Sequence, residues 1–167
     1  MIKLVGIILI VFTGAGIGIF ASEKLKQQLC SCRLLIEMFN SISVMIRYRA
    51  IDFYEVSKEL KENISLSKLE FISQLPESYN GTNSFSDEWH KAVESDSQIG
   101  FEEKEILHSF ASNIGTSDIE GQLSELELVS CRLKAVEEKR KEDYIRKGKL
   151  YRSVGVLAGI MAGIAAV

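Results

Sequence analysis

Residues 4–22 read LVGIILIVFTGAGIGIFAS, and no charged side chain occurs from Leu4 to Ser22. A helix that crosses a bilayer needs about 20 apolar residues, because every backbone N–H and C=O must find its partner inside the hydrocarbon. This stretch meets that length. A cleavable signal peptide is the competing reading, since Lys3 gives a basic start, but the apolar run is long and no small-x-small site precedes Ser22-Glu23. An uncleaved transmembrane helix is therefore expected over residues 1–22, and the rest of the chain reads as what that anchor carries.

The opposite end repeats the pattern on a smaller scale. Residues 153–167 are also free of charge, and a second span is expected over 150–167, with Leu150 and Tyr151 at the interface and Arg152 snorkelling to the headgroups. Gly155, Gly159 and Gly163 recur every four residues beside Ala158, Ala162 and Ala166, while Gly14 and Gly18 offer a shorter stripe in the first span. Small residues at this spacing let two helices approach closely inside a membrane. The five glycines are thus the expected packing positions, either between the two spans of a hairpin or against another membrane subunit. Lys24, Lys26 and Arg33 follow the first span, and Arg146, Lys147, Lys149 and Arg152 border the second, which places residues 23–149 on the cytoplasmic side.

That middle segment holds most of the charge of the 167-residue chain, with acidic and basic residues interspersed and a formal net charge of −3. No run of Lys and Arg interleaves with aromatics, so a nucleic-acid face is excluded. Cys30, Cys32 and Cys131 form neither a CxxC pair nor an even set, which argues against a zinc site or a disulfide framework and reads as packing thiols.

Hydrophobic periodicity makes the middle a helical bundle. Leu25, Leu29, Cys32, Ile36, Phe39, Ile42 and Ile46 step by three and four, extending the first helix to about Arg49. Asp52–Glu55, Ser67–Glu70, Ser84–Asp87 and Ser117–Glu120 each carry the spacing of a capping box, marking helix starts. Pro76 to Ser84, with Asn80-Gly81, is a loop. A helix over Phe101–Asn113 carries Phe101, Ile106, Leu107 and Phe110 as its apolar residues and ends at Gly115. Ile119, Leu123, Leu126, Leu133 and Val136 keep helical spacing into a charged run, 137–149, that leads to the second span. The expected fold is all-α: a helical bundle over 23–149, anchored by an N-terminal and a C-terminal transmembrane helix.

No arrangement of side chains carries catalysis. His90 and His108 fall on different predicted helices, and neither an HExxH pattern nor a P-loop nor a nucleophile elbow occurs. Glu102, Glu103 and Glu105 lie in a first helical turn, where carboxylates favour the positive end of the helix dipole. No catalytic, cofactor-binding or metal-binding residue, and no small-molecule substrate, is expected. Phe85 and Trp89 are read mainly as core, and as the first candidates for a partner contact if they prove exposed.

The sequences Glu105–Phe110, Ile114–Gln122 and Lys149–Gly159, with the opening Lys3-Leu4-Val5-Gly6 and Ser86-Asp87-Glu88-Trp89, resemble the stage III sporulation protein AB family of endospore-forming bacteria across the whole chain. The resemblance implies a non-enzymatic platform subunit of the mother-cell-to-forespore channel in the outer forespore membrane, facing the mother-cell cytoplasm. It also implies a soluble domain similar to the inner-membrane platform proteins of type II secretion machines. The implied partners are the companion stage III sporulation ATPase, protein AA, and other membrane subunits of the channel. Where the family has Tyr followed shortly by Thr-Pro-Leu, this chain has Tyr48-Arg49-Ala50-Ile51-Asp52-Phe53. A self-associating structural membrane adaptor without a motor partner is the alternative.

Overall fold

The computed structural model describes residues 2–49, 52–114 and 118–165; at 2–11, 152, 159, 160 and 162–165 it describes the backbone path alone. Among these described residues six α-helices follow in order: α1 (Ile2–Arg49), α2 (Phe53–Glu62), α3 (Glu70–Gln74), α4 (Phe85–Ser95), α5 (Phe101–Asn113) and α6 (Ile119–Ala165), with a 3₁₀ turn at Ile64–Lys68. Among the described residues there is no strand. The all-helical expectation therefore holds.

The chain divides into two compact units, one formed by Met1–Leu29 and Glu138–Val167, the other by Cys30–Glu137. Both long helices contribute to each unit.

In the unit Cys30–Glu137, the core is built on α1. Cys32, Leu35, Met38, Phe39, Ile42 and Ile46 are buried, and Ile36, placed on this face by its spacing, is only partly so. Leu126, Val129, Leu133 and Val136 of α6 close the core from another side. The short helices seal the rest. Phe110 of α5 meets Phe39 of α1 edge-on at 5.0 Å and Trp89 of α4 at 5.5 Å, and Trp89 in turn meets Phe71 of α3 at 5.6 Å. Such edge-to-face pairs add to the stabilisation from buried area because the positive rim of one ring meets the negative face of the next.

The helix starts test the capping expectations one by one. Asp52 caps α2, its carboxylate accepting from the amides of Tyr54 and Glu55. Ser84 and Asp87 form the full reciprocal box at α4. The box expected at Ser67–Glu70 does not form. Ser67 Oγ donates instead to the Ile64 carbonyl, and α3 begins after Leu69 with no side-chain cap from that residue. Its first turn is served from a distance: the buried Asp96, just after α4, accepts from the Phe71 amide at 3.1 Å and from the Gln98 amide at 2.8 Å. Gly115 and Ser117, expected as a helix stop and a helix start, lie outside the described residues. The start seen at α6 is Asp118, whose carboxylate accepts from the Gly121 amide at 2.9 Å.

Phe101 corrects the sequence reading of α5. It is 77% exposed, whereas Phe110 is 3% exposed. Nine residues make two and a half helical turns at about 3.6 residues per turn, so the two rings leave the helix on opposite sides. The buried stripe is Glu103, Ile106, Leu107, Phe110 and Ala111.

Candidate functional site

Phe85 and Trp89 do not form an exposed partner contact. They are 8% and 1% exposed, and the indole N–H of Trp89 donates to the Leu107 carbonyl of α5 at 3.1 Å. Their spacing on α4 faces the core because Ala92 and Val93 continue the same stripe. The cysteines also separate by environment: Cys32 is buried with its thiol 3.5 Å from the Leu133 carbonyl, while Cys30 and Cys131 are exposed. Only Cys32 is a packing thiol.

The apolar side chains that the unit Cys30–Glu137 leaves in solvent include a pair on α1, Val44 and Tyr48, at 56% and 77% exposure. They sit four residues apart, one turn, on the side of α1 away from Ile42 and Ile46. A groove lies on each flank, and Asn40, Val44 and Tyr48 line both. The groove of about 470 Å³ is completed by Leu123, Glu127 and Lys134 of α6, among others. The groove of about 660 Å³ is completed by Ile36, Met45 and Arg49 of α1 and Glu59 of α2, among others. Arg33 pairs with Glu137 at 2.8 Å, Arg47 lies 3.7 Å from Glu127, and Arg49 bonds Glu59. Ion pairs this exposed contribute about 0–1 kcal/mol each, so they leave the arginines free to exchange partners. Tyr48 and the guanidinium groups around it are the residue types that dominate binding energy at protein contacts. Sequence periodicity did not point to this face, because Val44 and Tyr48 fall off the stripe that defines the core.

A second cluster joins α4 to α5. His90 Nδ1 and His108 Nδ1 stand 2.7 Å apart, and His108 Nε2 lies 3.0 Å from Glu94 Oε1. Lys104 Nζ lies 3.5 Å from Glu94 Oε2 and donates to the Glu94 carbonyl at 2.8 Å. The hydrogen bond from His108, followed by the charge of Lys104, holds the Glu94 carboxyl below the usual carboxylate range. Nothing in the order of residues signals this meeting. It depends on the register of α4 against α5, which also brings Trp89 to Leu107.

In the other unit, α1 and α6 touch through glycine. A methyl group at Gly18 would stand 2.4 Å from the Tyr151 carbonyl oxygen, and one at Gly155 would stand 2.7 Å from the Gly14 carbonyl oxygen. Both obstacles are backbone, so neither can swing aside. Gly16, between Gly14 and Gly18 in sequence, meets nothing within 4 Å. Gly159 and Gly163 fall where only the backbone path is described. Phe12, Ile17, Phe20, Val154, Leu157 and Met161 are exposed on the outside of this unit. Glycine within and large apolar side chains without is the reverse of a water-soluble bundle and the pattern of helices packed in lipid. Among the described residues, Phe12–Arg49 is the helix long and apolar enough to cross a membrane. The expected second span, 150–167, runs into positions beyond that description.

Among the described residues the chain is all-helical, with a leading helix long and apolar enough to cross a membrane and a compact helical unit, and this defines the class: a helical protein suited to membrane association. The chain belongs to the stage III sporulation protein AB family, whose sequence model matches residues 3–165. It is thus a sporulation protein. The solved structure of a stage III sporulation protein AB superposes with a TM-score of 0.54 at 21% identity, covering 71% of this chain and 96% of that one, which establishes a shared fold. No curated protein matches the chain.

Proposed function

We propose that this chain is a non-enzymatic platform subunit of the mother-cell-to-forespore channel, set in the outer forespore membrane by spans at 1–22 and 150–167. Its cytoplasmic unit, 23–149, docks the companion stage III sporulation ATPase, and nucleotide chemistry belongs to that partner. The observation that carries the reading is the exposed Val44–Tyr48 turn of α1 between two grooves with arginines on either side. An aromatic anchor with hydrogen-bonding cations at its rim fits a folded protein surface. The seam at Gly14, Gly18 and Gly155 supports a hairpin of the two spans, and its exposed apolar exterior is available to other membrane subunits of the channel.

The test is co-purification of the full chain with the ATPase in mild detergent. Val44→Asp with Tyr48→Asp is expected to reduce the recovered ATPase at least tenfold while the helical signal and melting stay unchanged. Phe101→Asp, exposed on α5, is the control and should leave binding intact. Full ATPase recovery with the double variant would overturn the docking face. If the double variant instead lowers the mass of the chain's own assemblies, the face joins copies of this chain, and the adaptor without a motor is the correct reading.

A further inference from the structure

The distance between His90 Nδ1 and His108 Nδ1, 2.7 Å, is a hydrogen-bond distance between two nitrogens that both serve as acceptors when bare. A proton must lie between them. The ring centroids are 4.8 Å apart and the planes differ by 27°, so most of the separation is taken up by the nitrogen pair and the two ring radii. The rings therefore meet edge to edge along the N···N line and are not stacked face to face.

The proton's owner follows from the third partner. Glu94 is a carboxylate and can only accept, so His108 Nε2, 3.0 Å away, carries a hydrogen. A neutral His108 then has a bare Nδ1, and the bridging hydrogen belongs to His90 Nδ1. One further proton is also accommodated. It places the positive charge on His108 beside Glu94, provided that His90 holds its own hydrogen on Nε2. Two further protons are not accommodated, because both Nδ1 atoms then carry hydrogens pointed at each other.

We propose that His90 and His108 form a proton-sensitive latch between α4 and α5, closed while the pair shares a bridging hydrogen and opened when both imidazoles are charged. The charged groups that bear on the pair are Asp87 and Glu94 of α4 and Lys104 of α5. Lys91 and Glu88 of α4 bond each other at 3.3 Å, and Glu70 of α3, which packs against α4, is bonded by Gln98. Lys104 is already fixed on Glu94, so a second imidazolium adds to a local positive charge. The latch has a built-in reporter. Trp89, the sole tryptophan of the sequence, precedes His90, and its indole N–H bonds the carbonyl of Leu107, which precedes His108. Imidazoles exchange protons between roughly pH 5 and 8, which sets the window to search.

The experiment follows Trp89 emission of the full chain in lipid nanodiscs from pH 8 to pH 5, together with ¹⁵N spectra of the imidazoles. At pH 8 the spectra should show His108 as the Nε2–H tautomer and His90 as the Nδ1–H tautomer. Acidification should produce a coupled two-step titration, with a red shift of Trp89 accompanying the second step. His90→Asn keeps an N–H to offer His108 but takes up no proton, and it should abolish that red shift. Glu94→Gln, which keeps the shape and removes the charge that favours imidazolium, should move the transition to lower pH. Three results overturn the proposal: a Trp89 transition of equal size and midpoint in both variants, two independent single-step titrations, or ring signals that change on adding EDTA and so reveal a metal ion between the rings.

Discussion

Phe101 and Phe110 lie on one helix, and truncating each to alanine asks how much of the stability of the unit Cys30–Glu137 resides in its aromatic centre. Phe110 has ring partners in three other helices: Phe39 at 5.0 Å, Trp89 at 5.5 Å and Phe53 at 6.1 Å. Removing a buried phenylalanine costs about 3–5 kcal/mol from lost transfer and the residual cavity. Each aromatic pair adds about 0.5–1.5 kcal/mol beyond area, so Phe110→Ala belongs in the upper half of that range, near 4 kcal/mol. That is roughly a thousandfold in the ratio of folded to unfolded chains, since about 1.36 kcal/mol is a factor of ten. A domain has about 5–15 kcal/mol in all, so the loss takes a large fraction of it. Phe101→Ala should cost less than about 0.5 kcal/mol, because its ring is in solvent. Urea titration in mild detergent, read at the midpoint of helical circular dichroism, measures both. A cost for Phe110→Ala below about 1.5 kcal/mol, or equal costs for the two variants, would show that α5 does not pack through this face.

Three further outcomes follow from other contacts. Asp96→Ala leaves the Phe71 amide at the start of α3 without its acceptor, and the same urea titration should register a loss of about 1–3 kcal/mol, the usual cost of an orphaned buried donor. Gly18→Leu should destabilise the pairing of α1 with α6 by at least about 1–3 kcal/mol, while Gly16→Leu is tolerated; thermal aggregation in detergent distinguishes them, and equal behaviour would contradict the close approach at Gly18. Glu77 is held below the usual carboxylate range by the hydrogen bond from Lys61 and then by its charge. The unfolded chain therefore binds its proton more readily, and this contribution is present above the ordinary carboxylate value and lost as pH falls through the lower folded one, below about pH 4.5. Lys61→Met should flatten the acid arm of the stability curve in that window, lowering the plateau at about pH 6–8 and leaving stability at the acid end, where Glu77 is protonated in both states, unchanged.

Local chemistry was legible in the sequence wherever one segment sufficed to determine it. Asp52 and Ser84 capped the helices that their spacing announced, and Leu29, Phe39, Ile42 and Ile46 lie in the core because a strong three-four pattern leaves a helix one way to hide them. Ser67 had the right spacing and failed, its hydroxyl turned to the Ile64 carbonyl while a remote carboxylate, Asp96, accepts from the Phe71 amide of α3. Phe101 was misplaced through composition outweighing angle. The contact of His90 with His108 and the exposure of Tyr48 were illegible for a different reason. Each depends on the register between helices separated in sequence, and nothing within a single helical period encodes that register.

The uneven exposure of the three thiols turns the chain into its own topological ruler. Cys30 and Cys131 are open to solvent while Cys32 is sealed. A maleimide that cannot cross lipid will therefore add two labels to the unaltered protein from the compartment that the helical unit occupies and none from the other. The third label appears only on denaturation, so one mass spectrum reports both sidedness and folding without a single engineered residue.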